Sequence, residues 1–438
     1  MKITFMGAGS TVFCKNVLGD VLLTESISEC EIALYDIDKN RLEESFTVVD
    51  RINRKYNGGK AKINKYLGVE NRKAALCGAK FVVNAIAVGG YEPCTVIDFE
   101  IPRKYGLLQT IGDTLGIGGI FRGLRTIQVM RGFAQDIEEV CPDALLLNYT
   151  NPMATVTGYM QRYTGVKTVG LCHSVQVCTS SLLETLGIPD QPVGFELIAG
   201  INHMAWLLDI RDKEGRDLYP MIRKLAKEKN AGEKHDNMVR LDYIDKLGYY
   251  CTESSEHNAE YNPYYIKSKY PELIDRFNIP IDEYLRRCVN QINGWEKQKA
   301  ELLSGGDIEH TRSHEYASHI MESIMTNTPY SIGGNVLNCG LITNLPSKAV
   351  VEVPCLVDGR GIHPTYIGEL PIQLACMNNS NISSQLMTIE AAVTGKREHL
   401  YQAAMFDPHT AAELSIDDII SMCDEMLAAH ESAGFKIL

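Results

Sequence analysis

The chain has 438 residues and is 45% hydrophobic, which allows two or three domains and a sizeable buried core. Its formal net charge of −12 argues against binding to nucleic acid or to an anionic membrane surface, so we expect a small-molecule partner. No signal-peptide pattern and no membrane-spanning apolar run is found, so we expect a cytoplasmic protein. The 13 cysteines lack a repeated spacing and are expected to be thiols.

Short apolar runs alternate with longer amphipathic stretches through about the first two hundred residues. We expect buried strands at residues 3–6, 32–35, 81–87, 144–148, 168–171 and 197–201. This alternation is typical of a parallel sheet with crossover helices. The sequence therefore predicts an α/β fold whose first domain, residues 1–200, is a Rossmann-type parallel sheet with helices on both faces.

Beyond about residue 209 the pattern changes to charged, helical segments. Helices are expected at residues 220–229, 282–303, 381–394 and 415–431, and a strand at 349–357. We predict that residues 201–438 form a second, mixed α+β domain that packs on the first. The active site is expected at the junction of the two domains.

Two glycines follow the first predicted strand. Gly7 and Gly9, with Ser10 after them, stand before a predicted helix at 11–23, where a backbone can approach a pyrophosphate at a helix N-terminus. The third glycine of the dinucleotide motif is absent, because Val12 and Phe13 occupy the positions where it could fall. A dinucleotide site is predicted, with a plain tight turn as the alternative.

Asp36 ends the second predicted strand, where an acidic residue can bind both ribose hydroxyls and repel a 2′-phosphate. This position favours NAD over NADP. Asp38 could take the same role, and a turn role for Asp36 is the structural alternative. Asn84, in the next strand segment, is expected to make a lesser contact with the dinucleotide.

Cysteine and histidine side chains follow two later strands. Cys172 and His173 come after the strand at 168–171, and His203 comes after the strand at 197–201. All three are expected at the carboxyl edge of the parallel sheet, where such folds bind ligands. Cys172 and His203 do not suffice for a closed structural zinc site, so a metal held there would keep open positions. A buried thiol and a packed histidine are the alternative.

Five motifs together resemble glycoside hydrolase family 4 over essentially the whole chain. They are GAGS (7–10), NYTNP (148–152), GLCHS (170–174), GINH (200–203) and VEVP (351–354). Residues 109–125, 248–265 and 333–346 are most similar to the bacterial α-galactosidase branch that acts on melibiose and raffinose. Family members that act on 6-phosphorylated sugars carry Asn or Asp after the cysteine that binds their metal, which corresponds to Cys172 here. Because His173 stands there, the resemblance implies a free sugar as substrate.

The resemblance implies an NAD- and Mn²⁺-dependent α-galactosidase. Cys172 and His203 are implied as Mn²⁺ ligands, and Asn151 as a ligand of substrate hydroxyls. The implied cleavage begins with transient oxidation of the sugar at carbon 3 and removal of the proton at carbon 2. The glycosidic oxygen is then eliminated, and water adds to the product. This route is an exception to the scheme in which two carboxylates cleave the glycosidic bond. A homodimer or homotetramer is expected.

Three side chains are implied in proton transfer. Tyr261 is the expected base, because residues 261–265 resemble the Tyr-x-x-Tyr-Tyr pattern that holds the family's catalytic tyrosine, and Glu256 and His257 are competitors. A phenol needs a neighbouring cation or metal to act as a base near neutrality, and an ordinary packed tyrosine is the alternative. His173 is expected as the acid on the leaving group, or else as a support for Cys172. Asp113 is expected to orient the base, or else to cap a loop.

Other functions remain open at this point. Within the family, an α-glucosidase or an α-galacturonidase would differ only in side chains near carbons 4 and 6 of the sugar. An arginine aimed at carbon 6 would favour the uronic acid. Outside the family, a lactate/malate-type NAD dehydrogenase and a non-catalytic NAD-binding redox sensor are the alternatives.

Overall fold

The computed structural model describes residues 1–303 and 308–438. The strands in these residues are β1 (Lys2–Met6), β2 (Glu31–Asp36), β3 (Lys62–Leu67), β4 (Phe81–Asn84), β5 (Leu145–Asn148), β6 (Lys167–Gly170), β7 (Phe195–Ile201), β8 (Met204–Arg211), β9 (Tyr250–Cys251), β10 (Tyr330–Leu337), β11 (Val350–Asp358) and β12 (Gly361–Pro364). The α-helices are α1 (Thr11–Leu23), α2 (Lys39–Asn57), α3 (Arg72–Leu76), α4 (Val96–Lys104), α5 (Gly116–Val140), α6 (Met153–Tyr163), α7 (Ser174–Thr185), α8 (Tyr219–Asn230), α9 (Met238–Leu247), α10 (Ser255–Glu260), α11 (Glu272–Arg276), α12 (Glu283–Leu303), α13 (Tyr316–Thr326), α14 (Ile372–Thr394), α15 (Arg397–Met405), α16 (Pro408–Glu413) and α17 (Ile416–Ser432).

These strands form one sheet in the order β3-β2-β1-β4-β5-β6-β10-β11-β7-β8-β9, and β12 pairs with β11. The pairs from β3 to β6 are parallel, whereas those from β6 to β9 are antiparallel. The predicted Rossmann-type parallel sheet is therefore confirmed. Because the sheet continues past residue 200, the division into domains at that position stays a prediction.

Helices pack on both faces of the parallel part. Val83 and Leu147 point into a core that includes α1 and α2, whereas Val82 and Leu146 point into a second core with α3, α5 and α6. Successive strand residues face opposite sides, so a strand buried on both faces is apolar throughout. In the described parts of the chain, no helix has the length and apolar character needed to cross a bilayer.

The predicted parallel direction of the strand at 197–201 is wrong. β7 pairs antiparallel with β11 and with β8. A single row of paired residues runs through Gly170, Asn335, Glu352 and Gly200, which links the ends of β6 and β7 through two strands from the second half. The predicted segment at 81–87 also ends early as a strand, at Asn84, and continues as a loop.

Two strands carry no clear apolar pattern. β3 lies at the sheet edge with Lys62 and Lys65 exposed, so its apolar run is interrupted. β10 contains Gly333 and Gly334, which weaken a strand unless close packing requires them. A Cβ at Gly333 would lie 2.9 Å from the side chain of Val175 in α7, and one at Gly334 would lie 2.7 Å from Sγ of Cys355. Gly333 lets β10 approach α7, and Gly334 leaves room for the side chain of Cys355 in β11.

A buried ionic network ties α4, α5 and α17 together. Arg125 and Asp98 are each 2% exposed, and the guanidinium donates to the carboxylate at 2.7 and 3.2 Å. The Nε2 of His430 lies 2.9 Å from the same carboxylate. Arg125 also donates through Nε to the carbonyl of Val88 at 3.0 Å. The network therefore fixes the loop that follows β4.

Replacing Asp98 by Ala should strongly destabilise the fold. The guanidinium of Arg125 would remain buried without its carboxylate, and a broken buried pair typically costs about 3–5 kcal/mol. Urea unfolding measures this loss. Glu425→Ala is the control, because it removes an exposed carboxylate that pairs with Lys104 and accepts from the hydroxyl of Tyr105, and we expect little change. Similar free energies of unfolding for the two variants would contradict the prediction.

Candidate active site

The glycine turn after β1 has the predicted form. Gly7 has a φ of +85°, and a Cβ there would lie 2.7 Å from the carbonyl oxygen of Ala85. Its N–H and that of Ala8 both donate to the carbonyl of Tyr35 at 3.0 Å. Ser10 then precedes α1, which begins at Thr11 as predicted. The turn thus places the start of a helix at the carboxyl end of the strands.

The carboxylate of Asp36 is built into this turn. Its Oδ2 accepts from the N–H of Gly9 at 2.6 Å, and a Cβ on Gly9 would lie 2.8 Å from the same oxygen. Asp38, the alternative in the sequence, instead caps α2 by accepting from the N–H groups of Asn40 and Arg41. Asp36 is therefore the acidic residue that lies at the glycine turn.

Asn84 lies beneath the loop rather than in it. Its side chain is fully buried and donates to Oδ1 of Asn148 on β5 at 2.9 Å. The residues that follow it, 85–87, are the ones that line the cavity described next. A dinucleotide contact by Asn84 stays a prediction, and its observed contact joins the ends of β4 and β5.

One cavity of about 870 Å³ connects the glycine turn with the predicted metal ligands. At the nucleotide side it is lined by Ser10, Phe13 and residues 85–87. Elsewhere its polar lining includes Asp113, Arg122, Asn151, Cys172, His173, His203, Glu253, His257, Tyr284, Arg287, Asn290 and Gln291. A dinucleotide at the turn and a metal at these side chains would therefore share one space.

Cys172, His203 and Glu253 form a candidate metal centre. One ligand atom from each lies within 4.8 Å of the others. Burial lowers the pKa of His203, but Glu253 and Cys172 outweigh it and raise this pKa to about 10. Such an electronegative group of sulfur, nitrogen and oxygen donors fits a divalent cation. The sequence analysis missed Glu253, because it follows the two-residue strand β9 in a polar stretch without periodicity.

Two of the three candidate ligands have left-handed backbones. His203 has a φ of +63° and Glu253 a φ of +64°. Residues other than glycine rarely adopt this conformation, and it costs about 1–3 kcal/mol where it occurs. The surrounding structure therefore holds both side chains in place at the expense of local stability, as functional sites commonly do.

Tyr261 lies behind His203. It is fully buried, and its hydroxyl is 3.0 Å from Nδ1 of His203, while Nε2 of that ring is 3.7 Å from Glu253. Burial, followed by Glu260 and Asp113, holds the pKa of Tyr261 well above its usual value. The observed contact orients the histidine, and the base role of Tyr261 stays a prediction.

The two competing bases have different surroundings. Glu256 forms an ion pair with Arg287. His257 lines the cavity, with Nδ1 2.8 Å from Oγ of Ser254 and Nε2 3.8 Å from Oδ1 of Asp113. Its ring centre lies 5.0 Å from that of His203. His257 is therefore next to the candidate metal centre and open to the cavity.

Asp113 and Asn151 form a polar pair in the cavity wall, because Asn151 donates to Oδ2 of Asp113 at 3.3 Å. Burial opposes ionisation of Asp113, but His257 and Arg122 hold its pKa below its usual value. Asp113 is therefore an anion beside the metal centre. Its orienting role stays a prediction.

The loop that carries Asp113 is held by Glu260, a residue that the sequence analysis missed. Its carboxylate accepts from the N–H groups of Thr110 and Gly112, each at 2.8 Å. Burial raises the pKa of Glu260 to about 7, although these hydrogen bonds oppose the rise. No local sequence pattern marks this role, because the contact spans about 150 residues.

His173 faces the cavity from the start of α7. Its Nε2 lies 2.7 Å from Oε2 of Glu315, a carboxylate that raises the pKa of the ring. The thiol of Cys172 instead contacts Oγ of Ser174 at 3.3 Å. The described partner of His173 is thus Glu315. The role of His173 as the acid on the leaving group stays a prediction.

Comparison with known proteins identifies the family. Residues 2–188 match the model of the family 4 glycosyl hydrolases, and residues 198–410 match the model of the family 4 glycosyl hydrolase C-terminal domain. The chain belongs to family 4 of the glycosyl hydrolases. The resemblance drawn from the five motifs is therefore confirmed.

Individual relatives cover nearly the whole chain of this family 4 enzyme. It is 61% identical to an α-galactosidase of Bacillus subtilis (strain 168) over 98% of both chains. It is 35% identical to an α-galactosidase of Rhizobium meliloti (strain 1021), over 98% of this chain and 88% of the relative. A solved 6-phospho-α-glucosidase from gut microorganisms, in complex with NAD and Mn²⁺, has a TM-score of 0.79 at 20% identity over 98% of each chain. This last likeness shows a shared fold.

Replacing Glu253 by Gln should weaken binding of Mn²⁺, the ion used as a probe, by about tenfold or more, because one anionic ligand is lost. Titration of metal-free protein, with free Mn²⁺ followed by electron paramagnetic resonance, measures the affinity. Glu256→Gln is the matched control, since this buried carboxylate pairs with Arg287 and lies outside the metal group. Unchanged affinity in the Glu253 variant would exclude it as a ligand.

Proposed function

We propose that this family 4 enzyme is an α-galactosidase that hydrolyses terminal non-reducing α-galactosides of the melibiose and raffinose type, with NAD⁺ and Mn²⁺ as cofactors. The observation that carries the proposal is the single cavity shared by the glycine turn and the metal centre. The 61% identity to the Bacillus subtilis α-galactosidase supports the choice of sugar. The 6-phospho-α-glucosidase complex supports the cofactors.

Each end of the cavity has a role in this proposal. The turn at Gly7, Gly9 and Ser10 receives the dinucleotide, and Cys172, His203 and Glu253 hold the cation. Hydride exchange at carbon 3 is the chemistry that NAD⁺ supplies, and polarisation of the sugar oxygens is what Mn²⁺ supplies.

The side chains around the metal centre bind the sugar and move protons. Asp113 and Asn151 bind its hydroxyls as an acceptor and donor pair. We assign proton removal at carbon 2 to His257, because its ring lines the cavity, whereas Tyr261 is fully buried behind His203. His173, which also lines the cavity, protonates the leaving oxygen. Tyr261 acts in this scheme by fixing the ring of His203.

The charges in the cavity favour a neutral sugar over a uronic acid. Two arginines in the cavity lining already have partners. Arg122 lies 3.7 Å from Asp113 and donates to the hydroxyl of Tyr284 at 2.9 Å. Arg287 is paired with Glu256 and Glu283. An arginine already neutralised by a carboxylate attracts a substrate carboxylate weakly. An α-galacturonidase is thus disfavoured, and an α-glucosidase remains the alternative that differs at carbon 4. A cytoplasmic homodimer or homotetramer is part of the proposal.

Hydrolysis of p-nitrophenyl α-galactoside should require NAD⁺ and Mn²⁺ together. Nitrophenol release is measured with each cofactor absent, alone and combined, in the presence of a thiol reductant. Absorbance of NADH is followed in the same cuvette, because a dehydrogenase would accumulate NADH whereas hydrolysis returns the hydride. Nitrophenol release without NAD⁺, or steady NADH accumulation, would refute the proposal. The p-nitrophenyl α-glucoside tests the alternative sugar.

Replacing Asp36 by Ala should weaken NAD⁺ binding by about tenfold or more, because hydrogen bonds to a charged group contribute about 1.5–3 kcal/mol. The preference for NAD⁺ over NADP⁺ should fall as well. Quenching of protein fluorescence by each dinucleotide measures both. Asp38→Ala removes a carboxylate that caps α2, so it should lower thermal stability and leave dinucleotide affinity near the original value. Equal affinities in the two variants would contradict the role of Asp36.

A further inference from the structure

One face of α12 lines the cavity. Tyr284, Arg287 and Gln291 are three and four residues apart, so they lie on the same side of the helix, and Asn290 lies beside them. All four carry groups that can donate hydrogen bonds. The helix thus presents a polar face to the cavity that contains the metal centre.

The start of α12 is tied to the loop that carries Asp113. The N–H of Tyr284 donates to the carbonyl of Thr110 at 3.0 Å, and that of Asp282 donates to the carbonyl of Gln109 at 3.0 Å. The ion pair between Arg287 and Glu256 joins α12 to α10. These contacts hold the polar face in a defined position relative to Asp113.

The far end of α12 is tied to the nucleotide-binding half. Lys299 forms an ion pair with Glu44 of α2. Asn290 and Gln291 lie between these two attachments, about 9–10 Å along the helix axis from Tyr284. About two turns of α12 therefore separate these amides from Tyr284, the residue that accepts from Arg122.

Asn290 and Gln291 are exposed while they line the cavity, so they mark its solvent-facing side. Among the described residues, neither amide has a hydrogen-bond partner within the chain. Each carboxamide offers one acceptor oxygen and two donor hydrogens, which match neighbouring hydroxyls of a sugar. The leaving group is a mono- or disaccharide in substrates of the melibiose and raffinose type. It must extend towards solvent, so it must pass such a side.

We propose that Asn290 and Gln291 form the subsite for the neutral sugar on the leaving-group side of the cleaved bond. The inference rests on the proposed α-galactosidase function and extends it by naming the residues that recognise the second sugar. Because the subsite binds hydroxyls by amide hydrogen bonds, it distinguishes a sugar leaving group from an aromatic one.

Replacing both Asn290 and Gln291 by Ala tests this subsite. The measurement is the ratio of kcat/KM for melibiose to kcat/KM for p-nitrophenyl α-galactoside. We expect the ratio to fall about tenfold, because two neutral hydrogen bonds to the leaving sugar are lost. Asn293→Ala is the matched control: it changes an exposed amide on the same helix that does not line the cavity, and the ratio should stay unchanged. Melting curves verify that the variants are folded.

Several results would overturn the inference. An unchanged ratio in the double variant, or an equal loss on both substrates, would show that the amides do not recognise the leaving sugar. A raised KM for NAD⁺ with both substrates would assign the amides to the nucleotide instead. If the unmodified enzyme cleaved neither substrate with NAD⁺ and Mn²⁺ present, the proposed function itself would fail, and the subsite with it.

Discussion

The arrangement around the candidate metal centre depends on bringing metal-binding side chains and carboxylates close together in a partly buried space. Cys172, His203 and Glu253 lie within a few ångströms of each other, and Asp113 contributes further negative charge to the same region. The carboxylates of Glu253 and Asp113 repel each other there and lose hydration, which opposes the folded state unless positive charge offsets it. The pKa of His203 is raised in spite of burial, because a positive charge beside these carboxylates is stabilised.

Buried carboxylates hold the segments around the cavity against this repulsion. Glu260 gathers the N–H groups of the loop before Asp113, and Asp98 orients Arg125 beneath the loop after β4. Asp20 of α1 accepts from the N–H of Ser313 at 3.0 Å. Two residues further along the chain is Glu315, whose carboxylate contacts the ring of His173. Loops that carry functional groups are thus fixed by ionic and hydrogen-bonding contacts distant in sequence, where secondary structure alone would leave them free.

The sequence predicted the parts of the site that depend on local order. Asp36 ends a buried strand, and Gly9 and Cys172 come shortly after one, so their meeting at one edge follows from parallel topology. Glu253 and Glu260 could not be predicted in the same way, because their roles arise from contacts across the fold and their surroundings show no periodic pattern. The direction of β7 was also beyond reach, since an apolar run does not distinguish a parallel from an antiparallel neighbour.

The candidate metal centre is only partly enclosed, which distinguishes it from a closed structural site. Cys172 is half-buried and the Glu253 side chain is 23% exposed, so water and small chelators in the cavity reach the donor atoms. A cation held in this way would exchange with the surrounding solution, and its occupancy would follow mass action. The core clusters on either side of the sheet do not include these donor atoms. The amount of metal carried by the purified enzyme would then depend on the buffer as much as on the protein.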